Sequence, residues 1–138
     1  MLIDSRLVFS DAQALTASAA STDRVDLGQD RDIGPGRTLY LVIAVQEAAD
    51  ATTGNETYSF ALQTDSSAGF GSATTLVSRS ISAAELTAGS QHVLPMTLTN
   101  ERYLRLYYTL GGTTPSVTVT AWLTDQEPQA WRALPGSF

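Results

Sequence analysis

The chain has 138 residues, a formal charge of −6, no cysteine, one histidine (His92) and only arginine as its basic residue, which excludes a disulfide scaffold, a thiolate or multi-histidine metal centre and a cysteine nucleophile. The acidic balance argues against holding nucleic acid, which needs positive surface to displace counterions, and the longest apolar run, residues 39–45, is far short of a membrane-spanning helix. Threonine and serine together make up nearly a quarter of the chain while the helix-favouring Lys and Glu are scarce, the composition of a single all-β domain.

Residues 1–36 read as an extended arm and loop with one or two short strands. Leu2 and Ile3, then Leu7, Val8 and Phe9, are apolar groups separated by polar and Ala/Ser-rich stretches. Ser10 and Gln13 have capping-box spacing, which predicts a short helical turn. An acid-dense loop follows, with Asp23, Asp26, Asp30 and Asp32, and ends in the turn tripeptide Gly34-Pro35-Gly36. The start of the chain has Asp4 and no apolar core segment, so no secretory signal is expected.

Residues 37–125 read as a β-sandwich core. Residues 38–46 are apolar on both alternating faces, which predicts a central strand covered on both sides. Residues 57–64 alternate, with Tyr58, Phe60 and Leu62 facing in, and a short strand is expected over 73–79. Ser82 and Glu85 form a second capping-box pattern, with Gly89 placed to end one helical turn. A strand over 92–98 carries Pro95 and therefore belongs on an edge or at a bulge. Residues 102–110 form a strong strand, Gly111-Gly112 its turn, and 117–124 another strand with Val117, Val119, Ala121 and Leu123 on one face. Residues 126–138 read as a C-terminal tail with Trp131, Arg132, Leu134 and Phe138. Seven or eight short strands joined by turn signals predict a jelly-roll-like sandwich or barrel with an extended N-terminal arm.

Few patterns point to chemistry. The four aspartates in the 23–32 loop lack the spacing of a calcium loop and are interleaved with Arg24 and Arg31, so no metal site is expected. His92 has no G-x-S-x-G serine beside it in the sequence. Gly69-Phe70-Gly71 starts like a dinucleotide loop, but Thr stands at 74 where a third glycine belongs. Asn55-Glu56-Thr57 matches a glycosylation sequon. No catalytic, cofactor-binding or metal residues are expected, and the chain reads as a non-enzyme. Tyr103, Arg105 and Tyr107 share one face of a strand whose other face is leucine-rich. Tyrosine and arginine are enriched at protein interfaces, and the same face would also suit a sugar-binding platform.

Residues 2–13, Val25-Asp26-Leu27-Gly28, Arg31-Asp32-Ile33-Gly34, Ala68-Gly69-Phe70-Gly71, and the block from Arg102 to Tyr108 with the Gly-Gly turn and Trp122-Leu123 after it occur in an order that resembles the cement, or decoration, proteins of short-tailed bacteriophages. The resemblance runs from about residue 2 to 124. It implies a jelly roll on the outside of an icosahedral capsid, associated with itself and bridging major capsid protein subunits, with no catalytic residues.

The expectation is therefore a structural virion protein made in the host cytoplasm and located on the outer capsid surface. Its partners would be the phage major capsid protein and itself, a dimer being favoured, with no nucleic acid, membrane or cofactor. Candidate contact residues are Leu2, Ile3, Phe9, Tyr103, Arg105, Tyr107, Trp131, Arg132 and Phe138. The alternatives are a carbohydrate-binding sandwich and, more remotely, a small hydrolase built on two facing acids.

Overall fold

A computed structural model describes residues 5–28, 39–96 and 101–125. Among the described residues, a 3-10 turn at Ser5–Leu7 is followed by nine strands: β1 (Val8–Leu15), β2 (Ala19–Ala20), β3 (Val25–Asp26), β4 (Tyr40–Glu47), β5 (Thr57–Asp65), β6 (Thr74–Ser80), β7 (Gln91–Pro95), β8 (Tyr103–Gly111) and β9 (Val117–Thr124). Every described pairing is antiparallel. One sheet runs β1-β9-β4-β7; the other runs β2-β8-β5-β6, with β3 also on β8.

These pairings are nested. β1 pairs β9, β2 and β3 pair β8, β4 lies beside β7, and β5 beside β6. Treating β2 and β3 as one interrupted strand, first pairs with last and each inner pair repeats the rule. Such a ladder, rolled so that alternate pairs fall in opposite sheets, is the jelly roll of two packed sheets. Both its sheets bury their alternating inner residues between them.

The core follows the period of two. Tyr58, Phe60 and Leu62 of β5 and Leu104, Leu106 and Tyr108 of β8 meet Leu41, Ile43 and Val45 of β4 and Val117, Val119, Ala121 and Leu123 of β9. Phe60 and Tyr108 contact edge to face, with centroids 5.7 Å apart. β4 is an interior strand between β9 and β7. On its other face Val42 is buried opposite the buried Trp122, which accounts for the apolar run on both faces. β7, with Pro95 at its end, is an edge strand. At the turn into β9, Gly112 has φ of +89° and a Cβ there would run into the Asn55 backbone, so glycine is required.

Three expectations are corrected. The stretch read as an N-terminal arm is built into both sheets from Val8 to Asp26. Its apolar residues lack a clean alternation because β1 is interrupted by register shifts at two places, before and after Ser10. Phe9, named as a contact residue, is fully buried in the core. Neither capping box starts a helix. Ser10 does donate to Gln13 Oε1 at 2.6 Å, but both lie in β1, where pairing with β9 has claimed the backbone. The Ser82–Glu85 pattern makes only a tight turn, with Glu85 N–H on Ser82 O and Leu86 N–H on Ala83 O, because Leu86 is immediately drawn into the core.

Candidate binding face

The outer face of β8 gathers the strongest cluster of functional side chains. Strand alternation turns Tyr103, Arg105 and Tyr107 outward, each half-buried, while Leu104, Leu106 and Tyr108 go inward. The predicted trio thus does share one face. Antiparallel pairing brings Arg24, the residue before β3, to the same end, since Val25 lies opposite Leu104 and Asp26 opposite Tyr103.

Four guanidinium–ring contacts order this surface. Arg102 and Arg24 lie 4.9 and 5.7 Å from the Tyr103 ring centre. Arg105 lies 4.5 Å from the Phe70 ring and 5.4 Å from that of Tyr107. Phe70 also meets Tyr103 edge-on at 6.5 Å. Such contacts are each worth about 0.5–1 kcal/mol when exposed, and here they chiefly fix orientation. Arg105 is further held by its Nε–H on Gln63 Oε1 at 2.8 Å, from neighbouring β5.

Phe70 is delivered by the loop after β5. Asp65 accepts from Ser67 N–H at 3.0 Å and from Ser72 N–H at 2.8 Å, closing the loop. Within it Phe70 takes φ of +51°, an unfavourable conformation for a bulky residue, and its side chain is buried. These two backbone bonds hold the Asp65 carboxyl below its ordinary range, with the Arg105 charge adding a smaller pull. Asp26 is held down to about 2, first by its hydrogen bonds from Arg102 (2.7 and 3.1 Å) and then by Gly28 N–H. Arg102 is therefore charge-paired within the face.

Beside this array lies a small open hollow of about 130 Å³, lined by Ala20, Ser21, Asp23, Arg24, Phe70 and Arg105 among others. A larger open cleft of about 530 Å³ sits at one end of the sandwich, between the loop that carries Gly54 and Glu56 and the Ser80–Ala83 stretch. Its lining holds one acid, Glu56. Desolvation pushes that carboxyl up, but N–H groups of Thr53 and Gly54 outweigh it and hold it below its ordinary value. A facing second acid, which glycoside hydrolysis needs, does not line it.

The other sequence candidates have structural occupations. His92 Nε2 lies 3.1 Å from Glu85 O and ties the turn before β7 to that strand. The sequon residue Asn55 bonds Thr113 through both ends of its amide. Among the described residues no three acids or histidines come together as metal ligands; Asp30 and Asp32 lie outside the described residues, as do Leu2, Ile3, Trp131, Arg132 and Phe138. Sequence reading missed Phe70, Arg24 and Arg102 as members of the face. The glycines around Phe70 and the Asp65–Ser67 spacing were signals of a tight loop, but no periodicity connects that loop to β8.

A family model described as Bbp16 matches residues 9–123, which takes in nearly the whole strand set from β1 to β9. No curated protein matches the chain.

Proposed function

The chain belongs to the Bbp16 family, a phage-associated family, and from that premise we propose that it is a capsid decoration protein. It binds the outer surface of the phage shell and stabilises contacts between major capsid protein subunits. The observation that carries this reading is the ordered Arg/aromatic face on β8. Arginine and tyrosine dominate the energetics of protein interfaces. Here they are presented on a rigid sheet with their rotamers already restrained, which lowers the ordering cost of docking.

The charge distribution supports the same reading. A net charge of −6 suits the exterior of a shell better than the interior, where packaged genome would repel it. Stabilisation follows from mass action. A protein that binds the assembled lattice and not the broken one shifts the balance by its differential affinity, and many copies act together.

A carbohydrate platform is the less favoured alternative. Sugars stack on bare ring faces, whereas Tyr103, Phe70 and Tyr107 each have a guanidinium against the ring. The test is to incubate the purified chain with capsids lacking it and image the particles. Density for the sandwich on the outer surface, β8 toward the capsid protein, is expected. Density inside the shell or at the tail, or none at saturating concentration, overturns the proposal.

A further inference from the structure

The arginines of the β8 face are not equivalent. Arg102 is neutralised by Asp26 through a paired hydrogen bond. Among the described residues Arg24 and Arg105 make no ion pair. Asp23 lines the hollow between them without bonding either guanidinium. Asp65 directs its oxygens to the Ser67 and Ser72 N–H groups. Arg105 uses its Nε–H on Gln63 and its planar faces on Phe70 and Tyr107. Among the described residues no hydrogen bond engages its Nη groups, and a guanidinium edge matches a carboxylate in the two-pronged geometry typical of arginine.

We propose that the hollow between Arg24 and Arg105 is a receptor for one carboxylate side chain, an Asp or Glu, of the protein on which this chain docks. The inference rests on the docking function above and names the chemistry of the partner. Arg24 and Arg105, each acting through space on one aspartate (Asp26 and Asp65) but ion-paired with none among the described residues, line one hollow of a chain whose overall charge is −6, so the hollow offers two arginines to an acid that the net charge otherwise repels. The hollow is small and open, about 130 Å³, which suits one side chain better than a larger ligand. Asp23 also lines the hollow, and its negative charge disfavours a doubly charged phosphate more than a singly charged carboxylate. Ala20, Ala68 and Phe70 in the lining suit a short aliphatic stem.

The arrangement is also preorganised. Arg105 is restrained by three neighbours before any partner arrives, and Phe70 is fixed in a left-handed conformation by the Asp65 loop. A charged hydrogen bond made to a guanidinium already in place loses less rotamer freedom than one made to a mobile side chain.

Two measurements separate this inference from the docking function itself. In the first, propionate, which is the glutamate side chain cut free, is titrated into the full chain while the arginine Nε–H signals are followed by NMR. Saturable shifts are expected at Arg105 and Arg24 and not at Arg79, with phosphate weaker than propionate. No saturable shift, or phosphate binding as well or better, overturns the receptor whatever the chain docks on. In the second, capsid binding is compared for wild type, Arg24→Gln, Arg105→Gln and Arg105→Lys over a range of salt. Each Gln variant should weaken binding by about tenfold or more and flatten its salt dependence, and Arg105→Lys should recover only part, since it keeps charge but not the fork. Arg24 is exposed, so its variant keeps the test valid if the Arg105 variants lose their fold. Wild-type binding with an unaffected Arg24→Gln variant overturns the inference and leaves the docking function standing. Failure of wild type to bind overturns the docking function, and the propionate titration then decides the receptor alone.

Discussion

The hydroxyls of Tyr108 and Ser10 meet at 2.6 Å inside the sandwich, linking β8 of one sheet to β1 of the other. Their donor order can be deduced. Gln13 Oε1 can only accept, so Ser10 donates its one proton there at 2.6 Å, and Tyr108 must donate to Ser10. Gln13 Oε1 also accepts from Thr22 N–H, while its Nε2 donates to Ala20 O. One polar chain thus ties both sheets to the connection between β2 and β3. Removing either end is not symmetrical. Tyr108→Phe leaves Ser10 bonded to Gln13, whereas Ser10→Ala leaves a buried phenol without an acceptor. The expected losses by denaturant unfolding are about 1 kcal/mol for Tyr108→Phe and about 1–3 kcal/mol for Ser10→Ala. The double variant should be no less stable than Ser10→Ala alone; additive losses would show that the two hydroxyls do not act as a pair.

The same burial predicts alkaline sensitivity. Desolvation raises the Tyr108 phenol well above its ordinary value of 10.0, and desolvation also raises Tyr58. Below pH 10 the phenols are protonated in both states and contribute no slope. Above it the unfolded chain releases protons that the folded chain retains, so stability falls as pH rises toward the folded values. Each such group contributes a slope of about 1.4 kcal/mol per pH unit across its window. Unfolding free energy measured from pH 8 to 11 should be flat at first and then decline. Tyr108→Phe should reduce the decline, and an unchanged profile in that variant would exclude Tyr108 as a source.

How far the sequence reveals this molecule depends on which contacts are local. β4, β5, β8 and β9 are legible because each carries a clean period of two, or an apolar run, that burial alone dictates. The strands before residue 28 are not. β1 is broken by bulges, with Ala12 at φ of +48°, and β2 and β3 are two residues each, too short to show a period. The Ser10–Gln13 pattern is instructive: in a strand the two side chains bond each other and not the backbone N–H groups that a capping box engages, since a side-chain spacing does not specify the backbone beneath it. In the candidate binding face, Tyr103, Arg105 and Tyr107 are visible from alternation. Phe70 and Arg24 join them through a loop and through β3–β8 register, long-range relations that one sequence does not display.

The interior position of β4 makes a direct prediction. Ile43 is fully buried, and its backbone pairs with His92 on one side and Ala121 on the other. Ile43→Ala removes three carbons from a site whose strand is fixed by two neighbours and cannot readily collapse. A loss of about 2–5 kcal/mol is expected from chemical denaturation. A loss below about 1 kcal/mol would place this side chain outside the core.

Asp65 links the fold to the candidate binding face, so its substitution should separate loop order from global stability. Its carboxylate accepts from Ser67 and Ser72 N–H and holds the strained Phe70 loop against Arg105. Asp65→Ala removes both acceptors. The 66–72 amides should then exchange with solvent faster, while β5 and β8, paired with each other along their length, keep their protection. Under the proposed docking function, capsid binding should weaken alongside, because Arg105 loses the ring it packs on. The pH dependence has a definite sign. The folded carboxyl titrates below its ordinary value of 3.8, first through the Ser67 and Ser72 bonds, so its contribution is present above that value and is lost as pH falls through the lower folded one. Loop protection in wild type should be constant from pH 7 to 5 and decline only under strong acid, whereas Asp65→Ala should show the fast exchange at every pH. Equal loop protection in the two proteins at pH 7 would mean that Phe70 is held by packing and not by this carboxylate.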